Sequence, residues 1–502
     1  MPDQNIAESK VSHAVKRQGG LVIAAMLIST FMAAVEVTVI STAMPTIVAR
    51  LGGFSLFSWA FGAYVLTQAV VTPLYGRLAD NYGRKRVYLA SAGLFLAGSL
   101  LCGCAWSMLS LILFRALQGI GGGGLVPLAT TIIGDVAKPD DRPRMMGYVS
   151  GIWGIAAILG PLLGAFFVNT LGWPFVFWVN LPIGLIAMAM VARFLHEPQH
   201  LARQQPIDAA GAGLLVIGIG AIMLVLVQIE TLPASGIAAL IASGMLALAA
   251  FAWREKRATD PLLPGFLLRR RMILLANISG LLCGALFLGI PAFLPSWVQG
   301  VAGGGPLLAG AVLGVFCLAW TAIAMILGRH LARLSFRPIA IAGAVALTAG
   351  SCGLVMLTAG PSIVWLCLCC AAIGAGLGVN SMIFTVAVQS GVARADRGSA
   401  MALFYFCRLI GQALGAAAFG GVLNRGLMLA AHGMHDPGKP DIVRELVDKK
   451  QRAALAGPAL QHLIGNLAGA LHAVFVLAAV VAAGTLIVTF FVPRRERLGQ
   501  EE

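Results

Sequence analysis

The sequence predicts an all-α polytopic membrane protein of fourteen spans, with both termini on the cytoplasmic side. Three observations carry that expectation. Hydrophobic residues make up 59% of the 502-residue chain and charged residues only 11%, against roughly a quarter charged in soluble domains. The apolar residues gather in runs, many longer than the roughly 18 residues that mark a spanning helix. The basic residues fall mostly on one side of those runs. A transmembrane barrel would instead show alternating strands of about ten residues, a pattern this sequence lacks.

The runs lie at about 21–45, 57–76, 87–105, 107–131, 146–169, 174–194, 209–230, 235–253, 272–298, 307–328, 338–359, 362–389, 399–424 and 470–492. With the N-terminus inside, 26 of the 35 Lys and Arg residues fall on the cytoplasmic side and seven outside, while Arg115 and Arg408 lie within spans. Six of the seven outer ones lie at or in one long loop, 425–469, and long loops weigh little in setting orientation. The net charge of +15 is therefore mainly a topology signal and not a nucleic-acid surface. Trp59, Trp106, Trp173, Trp297 and Trp365 fall near outer ends, as an aromatic belt would. The polar start, MPDQNIAESKVSHAVKRQGG, lacks the build of a cleavable signal peptide, so the first span is expected to direct insertion.

Span 1, FMAAVEVTVISTAMP (31–45), carries an acid within apolar sequence. Glu36 lies nine residues before Pro45, and Arg115 in span 4 lies nine after Trp106. At 1.5 Å per residue both sit about 14 Å below the outer surface, close to mid-bilayer. Asp80, Asp135, Asp208 and Glu230 fall at span ends, so Glu36 is the only acid deep in a span. It can titrate in a water-filled cavity, pair structurally with Arg115, or sit protonated against protein. The first reading is the one carried forward, because an intramembrane carboxylate is by default a functional group.

Loop 2–3 reads GRLADNYGRKR, Gly76 to Arg86. Asp80 can cap or pair at a helix end, and Arg84, Lys85 and Arg86 can tie neighbouring helices by charge-assisted bonds. Gly76 and Gly83 permit close packing and a tight turn. In span 4, LILFRALQGIGGGG (111–124), the glycine run lets another helix approach. In span 5, GIWGIAAILGPLLGA (151–165), Gly147 and Gly151 share one face, as do Gly160 and Gly164, and Pro161 can bend the helix. Span 6 opens with WPFVFWVNLPIG (173–184).

The chain also repeats. GRHLARLSFR (328–337) matches loop 2–3 at an offset of 252, and CCAAIGAGLG (369–378) matches FRALQGIGGG (114–123) at 255. Two six-span halves follow: 1–208 and 272–502, the latter with the outer loop 425–469, around two inserted spans and a basic loop at 209–271. The charged members survive only in the first copy: Ala332 replaces Asp80 and Cys370 replaces Arg115.

GRLADNYGRKR resembles the loop 2–3 signature of the major facilitator superfamily, and LILFRALQGIGGGG its fourth-span signature. GIWGIAAILGPLLGA is similar to the fifth-span motif of its proton-linked exporters, with Ala165 where a further glycine is common. WPFVFWVNLPIG is similar to the sixth-span entry of the fourteen-span drug:proton antiporters, with Pro174 and Phe175 in place of their arginine and tryptophan. VEVTVISTAMP (35–45) resembles their first-span motif, with Glu36 where aspartate is usual. FLPSWVQGVAGGGPLLAG (293–310), AVQSGVARADRGSAM (387–401) and FCRLIGQALGAAAFG (406–420) are in the same style.

The resemblance implies a major facilitator fold of two six-helix bundles plus two central helices, in a bacterial cytoplasmic membrane. It implies proton-coupled export of amphipathic, cationic drug-like compounds by alternating access. A dedicated exporter of a lipid, siderophore or other metabolite is the rival on the same scaffold. Glu36 and Arg115 are the expected coupling residues. Thr38, Tyr64, Gln118, Trp153, Phe177, Asn180, Phe404 and Arg408 are candidates to line the cavity. The implied partners are substrate, protons and lipid, with a periplasmic adaptor left open, and the proton gradient is the only energy source. No pattern suggests a phosphate-binding loop or a catalytic triad, so no enzyme is expected. The nine cysteines lie in apolar runs and read as small buried hydrophobes. His432 and His435 in the outer loop lack further ligands and read as solvated, so no metal is expected.

Overall fold

The apolar runs become long helices because a backbone in hydrocarbon must satisfy its own hydrogen bonds. The computed structural model describes residues 2–53, 56–136, 142–197, 208–228, 232–257, 265–330, 336–357, 363–392, 397–431 and 457–493. The first half holds α1 (Pro2–Leu51), α2 (Phe57–Tyr82), α3 (Arg84–Gly103), α4 (Met108–Val136), α5 (Arg142–Thr170) and α6 (Phe175–Phe194). Next come α7 (Ala209–Gln228) and α8 (Ala234–Arg257). The second half holds α9 (Arg271–Ser296), α10 (Pro306–His330), α11 (Phe336–Val355), α12 (Ile363–Ser390), α13 (Arg397–Ala431) and α14 (Gly457–Phe490).

Thirteen of these are long and apolar enough to cross a membrane. The remaining one, α2, is a 26-residue helix whose apolar run is diluted by Ser58, Thr67, Gln68 and Thr72. It packs with the others, which gives the fourteen expected spans.

The halves repeat one packing scheme. In the first, α4 packs on α2 and α3, while α1 packs on α5 and α6. In the second, α12 packs on α10 and α11, while α9 packs on α13 and α14. The halves meet along α5–α10 and α2–α13, with α1 against α9. Of the inserted pair, α7 lies on α13 and α2, and α8 packs on α7. At the ends opposite the basic loops the halves close together. Phe57 meets Phe293 with ring centroids 5.1 Å apart, and Gln299 Nε2 donates to the Thr42 carbonyl at 3.3 Å. Gln299 sits in the π-helical turn Trp297–Val301 that follows α9.

The outer loop is shorter than the expected 425–469. Helix α13 runs on to Ala431, and α14 begins at Gly457. Leu463 and Leu467 are buried, so the apolar stripe of α14 starts before the expected boundary. Gly426 also abuts Ala470: a Cβ on that glycine would come within 2.8 Å of the Ala470 Cα. His432 and His435 lie outside the described residues.

Candidate functional site

The glycine run of α4 builds the site. Gly119 and Gly123 face α2 at Tyr64, Thr67 and Gln68, while Gly121 and Gly124 face α3 at Phe95 and Ser91. Close apposition on both sides is sealed by side-chain hydroxyls. Thr67 Oγ1 donates to the Ala116 carbonyl at 2.9 Å, and Ser91 Oγ donates to that of Gly121 at 2.6 Å. Gly98 of α3 likewise leaves room for the backbone of Gln118.

Within this frame α4 presents Arg115 and Gln118, three apart on one face, towards α1. Arg115 Nη1 donates to Glu36 Oε1 in an ion pair with both side chains buried. It also donates to Gln118 Oε1 at 2.7 Å, while Arg115 Nε donates to the Ala60 carbonyl at 3.1 Å. The second Glu36 oxygen accepts from Asn180 Nδ2 of α6 at 2.5 Å. Gln118 Nε2 and Asn180 Nδ2 donate to Ser99 Oγ at 3.1 and 2.9 Å, and Ser99 Oγ donates to the Phe177 carbonyl at 2.9 Å. The Tyr64 ring underlies the guanidinium, 4.0 Å from its centroid. The cluster thus ties α1, α2, α3, α4 and α6 together.

Glu36 is therefore a paired acid in the core of the first half, not a lone acid facing a water-filled cavity. Its neighbours on α1 do face the seam between the halves. Thr38 and Ser41, with Pro161 of α5, line a crevice against Phe287 of α9 and Phe316 and Cys317 of α10. The crevice holds about 20 Å³, room for a water molecule, whereas drug-sized sites take roughly 300–1,000 Å³. Among the described residues no acid lines the crevice in this conformation, so the expected cationic substrate has no counter-charge there.

The other candidates divide. Tyr64, Gln118 and Asn180 belong to the cluster, and Phe177 packs edge-on to Trp173 beneath it. Thr38 lines the crevice. Phe404 and Arg408 share a small recess in the second half. Trp153 lies at the bundle surface, 36% exposed, and not in the crevice. Ser99 had no signal in the sequence, since one serine in AGSLLCG looks like any small packing residue.

In α5, Gly160 and Gly164 face Thr38, Val39 and Thr42 of α1, and Thr42 Oγ1 donates to the Pro161 carbonyl at 3.3 Å. Gly151, expected to act as a contact glycine, faces open space. Gly154 takes that role instead, where a Cβ would lie 2.5 Å from Thr321 of α10. The phase of α5 turns Gly154 to the seam and Gly151 away from it.

In loop 2–3, Gly83 has φ +90°, and Arg84 of α3 pairs with Asp135 at the end of α4. Glu197, just beyond α6, accepts from the Arg84 and Lys85 backbone N–H groups at 2.7 and 3.1 Å, capping α3. Lys85 Nζ donates to the Ala192 carbonyl at 2.7 Å. Gly76 faces open space, so close packing does not account for it. The Asp80 side chain lies outside the described residues.

Residues 26–416 match the family described as Major Facilitator Superfamily. The chain belongs to the major facilitator superfamily. Its relatives within the superfamily include Multidrug resistance protein 3 of Bacillus subtilis (strain 168), 32% identical over 93% of this chain and 94% of that protein. Multidrug transporter protein MdtP of the same organism is 32% identical over 80% of this chain and 75% of that protein. Among solved structures, a bacterial homolog of the human lysosomal transporter Spinster, inward-facing and unoccupied, superposes with a TM-score of 0.68. It covers 94% of this chain and 97% of its own at 14% identity, a likeness of fold alone. This superfamily member is a multi-pass membrane transporter and not an enzyme.

Proposed function

We propose that the protein exports amphipathic drug-like compounds across a bacterial cytoplasmic membrane in exchange for protons, by alternating access. The observation that carries this reading is the placement of three consecutive residues on α1. Glu36 points into the polar core of the first half, while Val37 and Thr38 line the crevice between the halves. A proton on Glu36 would remove the charge that balances Arg115. The guanidinium would then be a buried cation without a counter-charge, which is strongly unfavourable. Relief requires α1 and α4 to shift, and α1 carries that shift to the crevice. The Gly160 and Gly164 contacts would pass it to α5, whose Gly154 meets α10. The multidrug names of the relatives support drug efflux in general. Proton exchange rests on the residues alone.

The test is transport in liposomes holding the purified protein and a pH-sensitive dye. Several chemically unrelated dyes should each drive proton movement, and an imposed pH gradient should drive their efflux. Movement of a single metabolite class would favour a dedicated exporter, and no proton movement would refute the exchange.

A further inference from the structure

Three charges lie deep in the spans: Glu36, Arg115 and Arg408. The first two cancel within one cluster. Arg408, on α13, is paired with no acid and donates no hydrogen bond among the described residues. Its guanidinium lies instead 5.3 Å from the ring centroids of both Phe287 and Trp320. Those rings meet edge to face at 4.7 Å, and Phe287 also lines the crevice between the halves. On its other side Arg408 borders a recess with Ser279 of α9 and Asn380 and Ser381 of α12. Asn380 is buried, and its Nδ2 already donates to the Gly376 carbonyl at 2.9 Å.

Such a site is incomplete as it stands. Aromatic faces soften the cost of a buried cation but do not cancel its charge. The serine hydroxyls supply donors and no negative charge, and the Asn380 donor is already engaged. An intramembrane charged side chain is by default a functional group, and substrate paths are one of its uses.

We infer that Arg408, with Ser279 and Ser381, receives the anionic group of an amphipathic substrate whose apolar part lies against Phe287 and Trp320. The fit is to a carboxylate or sulfonate, because a guanidinium can donate two parallel N–H bonds to either. This rests on the reading of the protein as an exporter, and it replaces a cationic substrate with an anionic or zwitterionic one.

Fluorescence titration of the purified full-length protein tests it with three probes: dansylglycine (anionic), dansylglycinamide (neutral) and dansylcadaverine (cationic). Dansylglycine should bind at least about tenfold tighter than its amide, as the loss of one charge-assisted hydrogen bond would give. Arg408→Gln should erase that difference and Arg408→Lys should keep part of it, with folding checked by thermal midpoint. Lack of saturable dansylglycine binding, tighter binding of dansylcadaverine, or a preference unchanged in Arg408→Gln overturns the assignment. The wild-type charge preference decides even if Arg408→Gln fails to fold. Dye efflux under a pH gradient scores the exporter reading separately: efflux with a cationic preference sinks only this site.

Discussion

Glu36 and Arg115, 79 residues apart, form an ion pair with side chains 0% and 2% exposed. Removing two charges from water costs several kcal/mol per ion and is offset only when the remaining donors and acceptors are satisfied. Here Asn180, Gln118 and the Ala60 carbonyl bond the pair and the Tyr64 ring underlies the guanidinium, while the Tyr64 hydroxyl and Asn180 Oδ1 have no partner among the described residues. The pair is thus a structural tie, and under the proposed exchange it is also the group that would take the proton.

Those two roles separate in a double-mutant cycle. Glu36→Gln leaves Arg115 uncompensated and should destabilise the protein by about 3–5 kcal/mol, as breaking a buried pair does. Arg115→Gln should do the same to Glu36. The double variant should recover much of that stability, because no lone charge remains. Thermal unfolding in detergent reads the stability. Efflux driven by a pH gradient should be absent in Glu36→Gln and in the double variant alike. Efflux by a restored double variant would assign Glu36 a purely structural role.

Glu36→Asp keeps the charge and shortens the arm by one methylene. The carboxylate can then hold Arg115 or Asn180 well, but not both at their present separations. Stability should fall by about 1.5–3 kcal/mol, the worth of one hydrogen bond to a charged group. Export should persist at a reduced rate. A rate equal to wild type in proteoliposomes would mean that the Asn180 contact is dispensable.

Much of this was legible before the structure. Span number follows from the apolar runs, because the bilayer tolerates little else, and the basic loops supply the expected direction. The equal depth of Glu36 and Arg115 was readable from helical rise alone. That they touch was not, since depth says nothing of rotation about the helix axis. The same gap explains Gly151 and Gly154: spacing shows which residues share a face, but not which neighbour that face meets. The Phe287–Trp320–Arg408 group was hidden for a further reason, since it joins the consecutive α9 and α10 to the distant α13.

The two glycines of α5 should respond oppositely to one substitution. At Gly160 a Cβ would meet the Thr38 Cβ at 2.8 Å and the Val39 backbone nitrogen at 3.3 Å. Gly160→Ala should therefore push α1 and α5 apart and cost about 1–3 kcal/mol, the usual effect of overpacking. At Gly151 nothing lies within 4 Å, so Gly151→Ala should be neutral or stabilise by up to about 1 kcal/mol through helix propensity. Melting temperatures of the two variants check both signs.

The α7–α8 hairpin should loosen in acid. Asp208 stands just before the apolar run of α7, where its Oδ1 accepts from the Gly211 N–H at 2.8 Å and from Arg254 Nε of α8 at 2.7 Å. Burial works to raise its pKa, but the Gly211 N–H, the Arg254 guanidinium and the nearby Arg77 charge outweigh it. The carboxyl therefore lies below its ordinary value. A carboxylate with a lowered folded pKa contributes stability that is complete above the unfolded pKa, and that is lost as pH falls through the folded one. The hold on α8 should thus be constant from neutral pH down to about 4, the ordinary aspartate value, and weaken only below it. Asp208→Asn should show the loosened state already at pH 7. Hydrogen exchange at the first turn of α7 and the basic last turn of α8 reads it. Equal protection in the variant and wild type at pH 7 would show that packing of α8 on α7, and not this ion pair, holds the hairpin closed.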